Sequence, residues 1–163
     1  THDKTRGVKL IWVAPLRALS ADIAEAARAM VHGLGLDWEV GTRTGDTSAK
    51  DKARQRTALP DILITTPESL HILIAQKGGA ERLSKAQMVV VDEWHELLGS
   101  KRGVQVELAV SWLRHKAQLE SRKTLVWGVS ATLADAEGAL KALTGASQGT
   151  LIRADIPLSL IHI

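Results

Sequence analysis

Two adjacent carboxylates directly follow an uninterrupted apolar run near the middle of the chain. Residues Met88 to Val91 carry no polar side chain, as in a strand covered on both faces, and Asp92 and Glu93 come next. Carboxylates placed there need a compensating cation or water cluster. Oxygen ligands suit Mg²⁺ with a nucleotide, because one carboxylate can hold the metal's water shell while its neighbour polarises an attacking water. The pair predicts a phosphoryl-transfer site, whereas the simpler interpretation is an acidic helix start.

Zinc chemistry fits the same segment poorly. A second histidine four residues after His95 would be typical of a zinc peptidase helix, but Gly99 stands at that position. The chain has no cysteine, which excludes a thiolate zinc site, a disulfide framework and a cysteine nucleophile. The sequence therefore favours an oxygen-bound Mg²⁺ over zinc.

A second candidate site lies where a helix is predicted to begin. Residues Ile62 to Thr65 are typical of a strand, and Thr66 followed by Pro67 is a cap and first-turn proline for a helix that runs to Ala75. The N–H groups of such a helix start suit a phosphate. Taken alone, an ordinary capped helix is the simpler interpretation.

The elements that must position these residues alternate along the chain. Apolar runs of strand length alternate with helical patterns from end to end, which predicts an α/β fold with a mostly parallel sheet flanked by helices. Further strands are expected at Leu10 to Ala14, Trp38 to Thr42 and Lys123 to Val129. In open sheets of this kind, ligands bind beyond the carboxyl ends of the strands, and Asp92 and Glu93 follow such an end.

One long helix is predicted between the acidic pair and the last strand. Val104, Leu108 and Trp112 are spaced by four and give one face of this helix, which should end near Leu119. A further helix is expected from about Ala134, ending before a glycine. The spacing thus predicts helices on both sides of the final strand.

Composition limits the class of protein without identifying it. With 163 residues, 45% of them hydrophobic, the chain is long enough for one domain, which we expect over residues 1–157. Lys and Arg number 21 against 18 Asp and Glu, which barely favours a nucleic-acid partner. No run approaches the roughly 18 apolar residues of a membrane span, and no signal peptide is recognisable, so a cytoplasmic protein is expected. Residues 158–163 resemble translated adaptor sequence and are expected to be a non-native tail.

Four short motifs resemble those of superfamily 2 DEXH-box helicases, in the family's order. The acidic segment Asp92-Glu93-Trp94-His95 resembles motif II, and the others are Ala14-Pro15-Leu16-Arg17-Ala18-Leu19 for motif Ia, Thr65-Thr66-Pro67-Glu68-Ser69 for motif Ib and Ser130-Ala131-Thr132 for motif III. Any single match is weak, whereas the ordered set is specific. The longer string from Asp92 to Gly103 resembles the large helicase-related (Lhr) family. A tryptophan directly after the acidic pair, here Trp94, is similar to the bacterial ligase-associated DEXH-box subgroup of that family.

This resemblance implies the first RecA-like motor domain of an ATP-dependent helicase, with ATP and Mg²⁺ as cofactors. By resemblance, Asp92 holds the metal through water, and Glu93 orients or deprotonates the hydrolytic water. His95 contacts Ser130 or Thr132, or the partner domain, and so couples hydrolysis to motion. The resemblance therefore assigns metal binding to Asp92 and activation of water to Glu93.

The resemblance also implies contacts to the phosphates of a tracked strand. The residues expected to make them are Pro15, Leu16, Arg17, Thr65, Thr66 and Pro67. Arg43-Thr44-Gly45 forms a turn that lies near nucleic acid in the family, although a bare sequence of this kind is typical of a surface turn. Lys101 and Arg102 stand at a helix start, where the dipole disfavours cations, and are either phosphate contacts or a solvated pair.

The sequence alone leaves DNA and RNA both open as substrates. The resembled subgroup is implicated in DNA repair, which favours DNA, with a ligase or nuclease encoded nearby as a working partner. An association with membranes is not expected.

One family motif does not occur in this sequence. No Gly-x-x-x-x-Gly-Lys-Ser/Thr loop is present, so the phosphate cradle and the strand leading into it are expected outside this chain. In the resembled fold that strand lies beside Lys123 to Val129, which predicts an unpaired sheet edge there. We expect a fragment of an active helicase that is inactive alone. The alternative is a noncatalytic nucleic-acid-binding or scaffold module that has lost the loop.

Overall fold

A parallel sheet of five strands forms the centre of the computed structural model, which describes residues 7–131, 134–145 and 149–153. Neighbouring strands are all parallel, in the order β2-β3-β1-β4-β5. The sheet confirms the predicted α/β fold, and the expected tail at 158–163 lies outside the described residues. The strands are β1 Leu10–Val13, β2 Val40–Arg43, β3 Ile62–Thr65, β4 Met88–Val91 and β5 Leu125–Gly128.

Helices cover both faces of the sheet. The larger core lies between the sheet and α3, α6 and α7, and a smaller core lies under α1. Within the described ranges, no helix is long and apolar enough to cross a membrane. The helices are α1 Arg17–Gly33, α2 Ala49–Gln55, α3 Pro67–Ala75, α4 Gly79–Leu83, α5 Trp94–Leu97, α6 Lys101–Leu119 and α7 Ala136–Thr144.

The strand register brings the candidate segments to one edge of the sheet. Val13 at the end of β1 is paired with Thr65 of β3 on one side and with Val91 of β4 on the other. Val91 is in turn paired with Gly128 of β5. Because all the strands are parallel, the chain leaves four neighbouring strands at the same carboxyl edge, where ligands bind in sheets of this type.

The apolar residues spaced by four along α6 do not mark its buried face. Val104 and Leu108 are 51% and 58% exposed, whereas Val106, Val110 and Leu113 are buried against α3 and α7. The helix carries apolar residues on more than one face, and spacing alone does not say which face meets the core.

The strand β5 forms the predicted edge of the sheet. Among the described residues it is paired on one side only, with β4. Leu125 and Trp127 are 58% and 57% exposed, while Val126, which points to the other face, packs against the larger core. An apolar strand of this kind leaves backbone groups and side chains uncovered together.

Candidate functional site

Asp92 is fixed by hydrogen bonds as the chain leaves β4. Its backbone N–H donates to the Val13 carbonyl at 2.9 Å. One carboxylate oxygen accepts from the Glu93 N–H at 3.0 Å, and the other accepts from the indole N–H of Trp12 at 3.3 Å. These contacts set the orientation of the carboxylate. The sequence analysis did not identify Trp12 as a partner of Asp92. An indole N–H on an interior strand needs an acceptor, and this requirement could have pointed to the contact.

Glu93 adopts a left-handed backbone conformation, with φ 45° and ψ 47°. For a residue other than glycine this costs about 1–2 kcal/mol, and such positions are concentrated at functional sites. The turn is held by the next residue, because the Trp94 N–H donates to the Val129 carbonyl at 3.0 Å. The chain therefore turns at Glu93, directly after Asp92.

His95 joins this turn to the segment after β5. Its Nδ1 lies 2.8 Å from Ser130 Oγ and 3.3 Å from a carboxylate oxygen of Glu93, and its Nε2 lies 3.2 Å from Glu96. The structure thus brings together His95 and Ser130 as the sequence motifs predict, while their roles in hydrolysis stay predictions. Thr132 lies outside the described residues.

Trp94 anchors the same turn to the interior. The side chain is 2% exposed, and its indole N–H donates to the Ala139 carbonyl of α7 at 2.9 Å. Gly128 lies against Trp94, since an added Cβ there would be 3.7 Å from the indole ring. The acidic segment is consequently tied to the helix that follows the last strand.

A cavity of about 460 Å³ opens beside the acidic turn, a size ordinary for a small-molecule site. Within the described ranges no cluster of three or more carboxylates and histidines could hold a metal ion. Asp92 offers one oriented carboxylate at the acidic turn, and Mg²⁺ is commonly bound by one or two carboxylates with water and phosphate as its other ligands, so this residue fits that ion. The cavity is lined by Pro15, Leu16, Leu19, Glu93, His95, Glu96, Arg102 and Ala131.

The turn after β1 and the loop after β2 share one surface. Pro15 is buried, whereas Leu16 and Arg17 are exposed. The Arg17 guanidinium lies 3.4 Å from an Asp46 carboxylate oxygen, and a Cβ on Gly45 would come within 2.9 Å of it. Two predicted nucleic-acid segments that are distant in sequence thus meet.

The start of α3 has the predicted cap. Thr66 is buried, and its hydroxyl accepts from the Ser69 N–H at 3.4 Å. Pro67 occupies the first turn. Thr65 is fully buried and its hydroxyl donates to the Arg43 carbonyl at 2.8 Å, so its side chain holds β3 to β2.

Arg43 differs from the sequence prediction in its surroundings. It is 5% exposed, and its guanidinium donates to the Lys52 carbonyl and to the side chains of Gln55 and Gln76 at 3.2–3.5 Å. Burial, with a smaller contribution from the charge of Arg56, lowers the pKa of Arg43. This side chain faces the interior and not a nucleic acid. Thr44 is also buried, which leaves Gly45 as the exposed member of the predicted turn.

Lys101 and Arg102, at the start of α6, have different surroundings. Lys101 is exposed, as both interpretations of the sequence allow. Arg102 instead donates hydrogen bonds to the Pro15 carbonyl and to the Glu68 carboxylate. Its partners lie 87 and 34 residues away along the chain, a distance that local sequence patterns do not reveal.

Comparison with known proteins gives consistent matches over most of the chain. The family model described as DEAD/DEAH box helicase matches residues 1–139. The ATP-dependent helicase Lhr-Core of Methanothermobacter thermautotrophicus is 38% identical over 152 residues, which cover 88% of this chain and 17% of that protein. The Lhr helicase/uracil glycosylase of Escherichia coli is 31% identical over 91% of this chain and 10% of that protein.

A solved structure gives the same result. The Mycobacterium smegmatis helicase Lhr, bound to ssDNA and AMP-PNP, aligns with a TM-score of 0.75 and 30% identity over 90% of this chain and 20% of that one. The chain thus spans about a tenth to a fifth of the length of these relatives.

Proposed function

The chain belongs to the DEAD/DEAH box helicase family, with Lhr helicases among its relatives, and we propose that it is part of an ATP-dependent nucleic-acid helicase or translocase. It would contribute part of the first RecA-like motor domain. The observation that carries this proposal is the acidic turn at Asp92 and Glu93, which is joined through His95 to Ser130 at 2.8 Å. The subgroup suggested by Trp94 stays a prediction.

The residues of the turn divide the chemistry between them. Magnesium-bound ATP, when present, supplies the phosphoanhydride bond that is hydrolysed. Asp92, oriented by the Trp12 indole and the Glu93 N–H, would hold the metal's water shell. Glu93 would accept the proton of the attacking water, because it lines the cavity beside the acidic turn. His95 would couple hydrolysis at this site to motion through its contact with Ser130.

The nucleic-acid strand would lie over the surface formed by Leu16, Arg17 and Gly45, next to the start of α3. Arg17 supplies an exposed cation, and the N–H groups at the start of α3 suit a phosphate. Such contacts fix position and carry no base information, so binding should not depend on sequence. We further propose DNA over RNA, a role in DNA repair with a ligase or nuclease as partner, and action in the cytoplasm, where ATP and the nucleic acid are available.

Steady-state ATP hydrolysis by the full-length protein tests the proposal. Turnover should rise on addition of single-stranded DNA, and Asp92→Asn should abolish most of that turnover. Asp22→Asn, an exposed carboxylate on α1, is the matched control and should behave as wild type. Nucleic-acid binding without any ATP turnover would instead favour a noncatalytic binding module.

A further inference from the structure

Arg102 connects three segments that are far apart in the sequence. It is the second residue of α6, and its guanidinium donates to the Pro15 carbonyl in the turn after β1. The same group donates to both carboxylate oxygens of Glu68 in the first turn of α3, the longer contact being 3.5 Å. One side chain therefore joins the starts of α3 and α6 to the turn that precedes α1.

The local chain geometry places this side chain with little freedom. Ser100 caps α6 by accepting from the Gly103 N–H at 3.1 Å. Gly103 itself lies so close to α5 that an added Cβ would come within 2.1 Å of the Leu97 carbonyl oxygen. The start of α6 is thus held against the acidic turn. Arg102 lines the cavity that Glu93 also lines.

The chemistry of the contact requires arginine specifically. A planar guanidinium can donate in two directions at once, to a carboxylate and to a backbone carbonyl, whereas an ammonium is a point charge. Burial raises the pKa of Glu68, but hydrogen bonding, with that from Arg102 the largest contribution, outweighs it and leaves this pKa below its usual range. Glu68 is therefore an ionised partner at neutral pH.

We propose that Arg102 is a positioning residue, which holds the turn at Pro15 and the start of α3 in a fixed relation to the acidic turn and does not itself contact phosphate. This rests on the proposed function, because both held segments are the ones assigned to nucleic acid. Losing the bridge should misplace the α3 N–H groups, which carry no formal charge, while the exposed Arg17 side chain still reaches a phosphate. Loss of Arg102 should then weaken nucleic-acid binding only through the position of these segments. Loss of Glu68 should weaken binding by the same route.

The test uses the full-length protein with four changes: Arg102→Ala, Glu68→Gln, the double variant, and Arg17→Ala for comparison. Titration with single-stranded DNA at several salt concentrations should show about three- to tenfold weaker binding for each bridge variant and no further loss for the double variant. The salt slope should stay at the wild-type value, whereas Arg17→Ala should reduce it by about one unit. Arg28→Ala, an exposed cation on α1, controls for net charge.

A second readout separates positioning from a general loss of stability. The bridge variants should raise the DNA concentration for half-maximal ATP turnover more than they lower kcat. If Arg102→Ala does not give a cooperative melt, Arg102→Lys replaces it. Lysine keeps the charge but cannot make both contacts, so it should weaken binding at unchanged slope.

Several results would overturn the proposal. A salt slope lowered by about one unit in Arg102→Ala would make Arg102 a phosphate contact, with the proposed function intact. Additive losses from Arg102→Ala and Glu68→Gln would show that the two side chains act independently, and wild-type binding by Arg102→Lys would show that charge alone suffices. Wild-type protein that binds no nucleic acid would remove the proposed function and this inference with it.

Discussion

Replacing Trp127 with threonine should have different consequences in the 163-residue chain and in the full-length protein. Trp127 is 57% exposed on the open edge strand β5, beside the exposed Leu125 and Val129. In the isolated chain the substitution removes little burial, and it also removes apolar surface from an unpaired edge. In the full-length protein we expect the strand that leads into the phosphate loop, and its helix, to cover this surface.

The size of the difference follows from the exposed fraction. A buried tryptophan hides about 150–250 Å², so 57% of that corresponds to roughly 85–140 Å². At about 25 cal/mol per Å², covering this area contributes roughly 2–3.5 kcal/mol. Because threonine buries part of the same surface, Trp127→Thr should lower the free energy of unfolding of the full-length protein by up to about that much. This is a large share of the roughly 5–15 kcal/mol that holds a domain folded.

The assay combines denaturant unfolding of both proteins with light scattering of the short chain. The 163-residue chain should aggregate or be only partly folded, bind ATP no better than background, and scatter less light with Trp127→Thr. Trp38→Thr, in the smaller core at the other side of the sheet, is the control; it should destabilise the full-length protein without lowering the light scattering of the short chain. A sharp cooperative melt of the short chain with micromolar magnesium-ATP binding would refute the reasoning. Light scattering of the short chain that does not change with Trp127→Thr would refute it as well.

Three further predictions concern the acidic turn and the nucleic-acid surface. Trp94→Phe should lower the free energy of unfolding by about 1–3 kcal/mol, measured by denaturant titration, because the buried Ala139 carbonyl loses its donor. Burial raises the pKa of Glu68, but hydrogen bonding led by Arg102 outweighs it and lowers this pKa, so the ionised Glu68 stabilises the fold above the unfolded pKa of about 4.3, and this contribution is lost as the pH falls through the folded pKa. Glu68→Gln should therefore lower Tm at pH ~7, measured by thermal melts, and the difference from wild type should shrink as the pH is lowered below about 4.3. Arg17→Ala should weaken binding of all DNA sequences alike and lower the salt slope by about one unit, and an unchanged slope in binding titrations would mean that this side chain only faces solvent.

Local signals were enough to predict the elements that carry the site. The strands Ile62–Thr65 and Met88–Val91 have the predicted bounds, because each is a short apolar run bordered by polar residues. The Thr66 cap and Pro67 first turn are also as predicted, since both depend on neighbours within three residues.

Contacts between distant residues explain what the sequence did not reveal. Arg43 is an exposed turn residue by its local sequence, yet its guanidinium is satisfied by glutamines 12 and 33 residues further on. The hydrogen bond from the Trp12 indole N–H to Asp92 joins residues that are 80 positions apart in the sequence. Only the parallel register of β1 and β4 brings these two side chains together.

Turnover by Glu93→Gln in the full-length protein tests the central proposal most directly. The amide cannot accept a proton from water, so ATP hydrolysis with saturating nucleic acid should fall about 10²- to 10⁴-fold while magnesium-nucleotide binding is retained. Glu25→Gln, an exposed residue on α1, is the matched control and should hydrolyse ATP as wild type does. Near-normal turnover by Glu93→Gln would contradict the assignment of the acidic turn as the hydrolytic site.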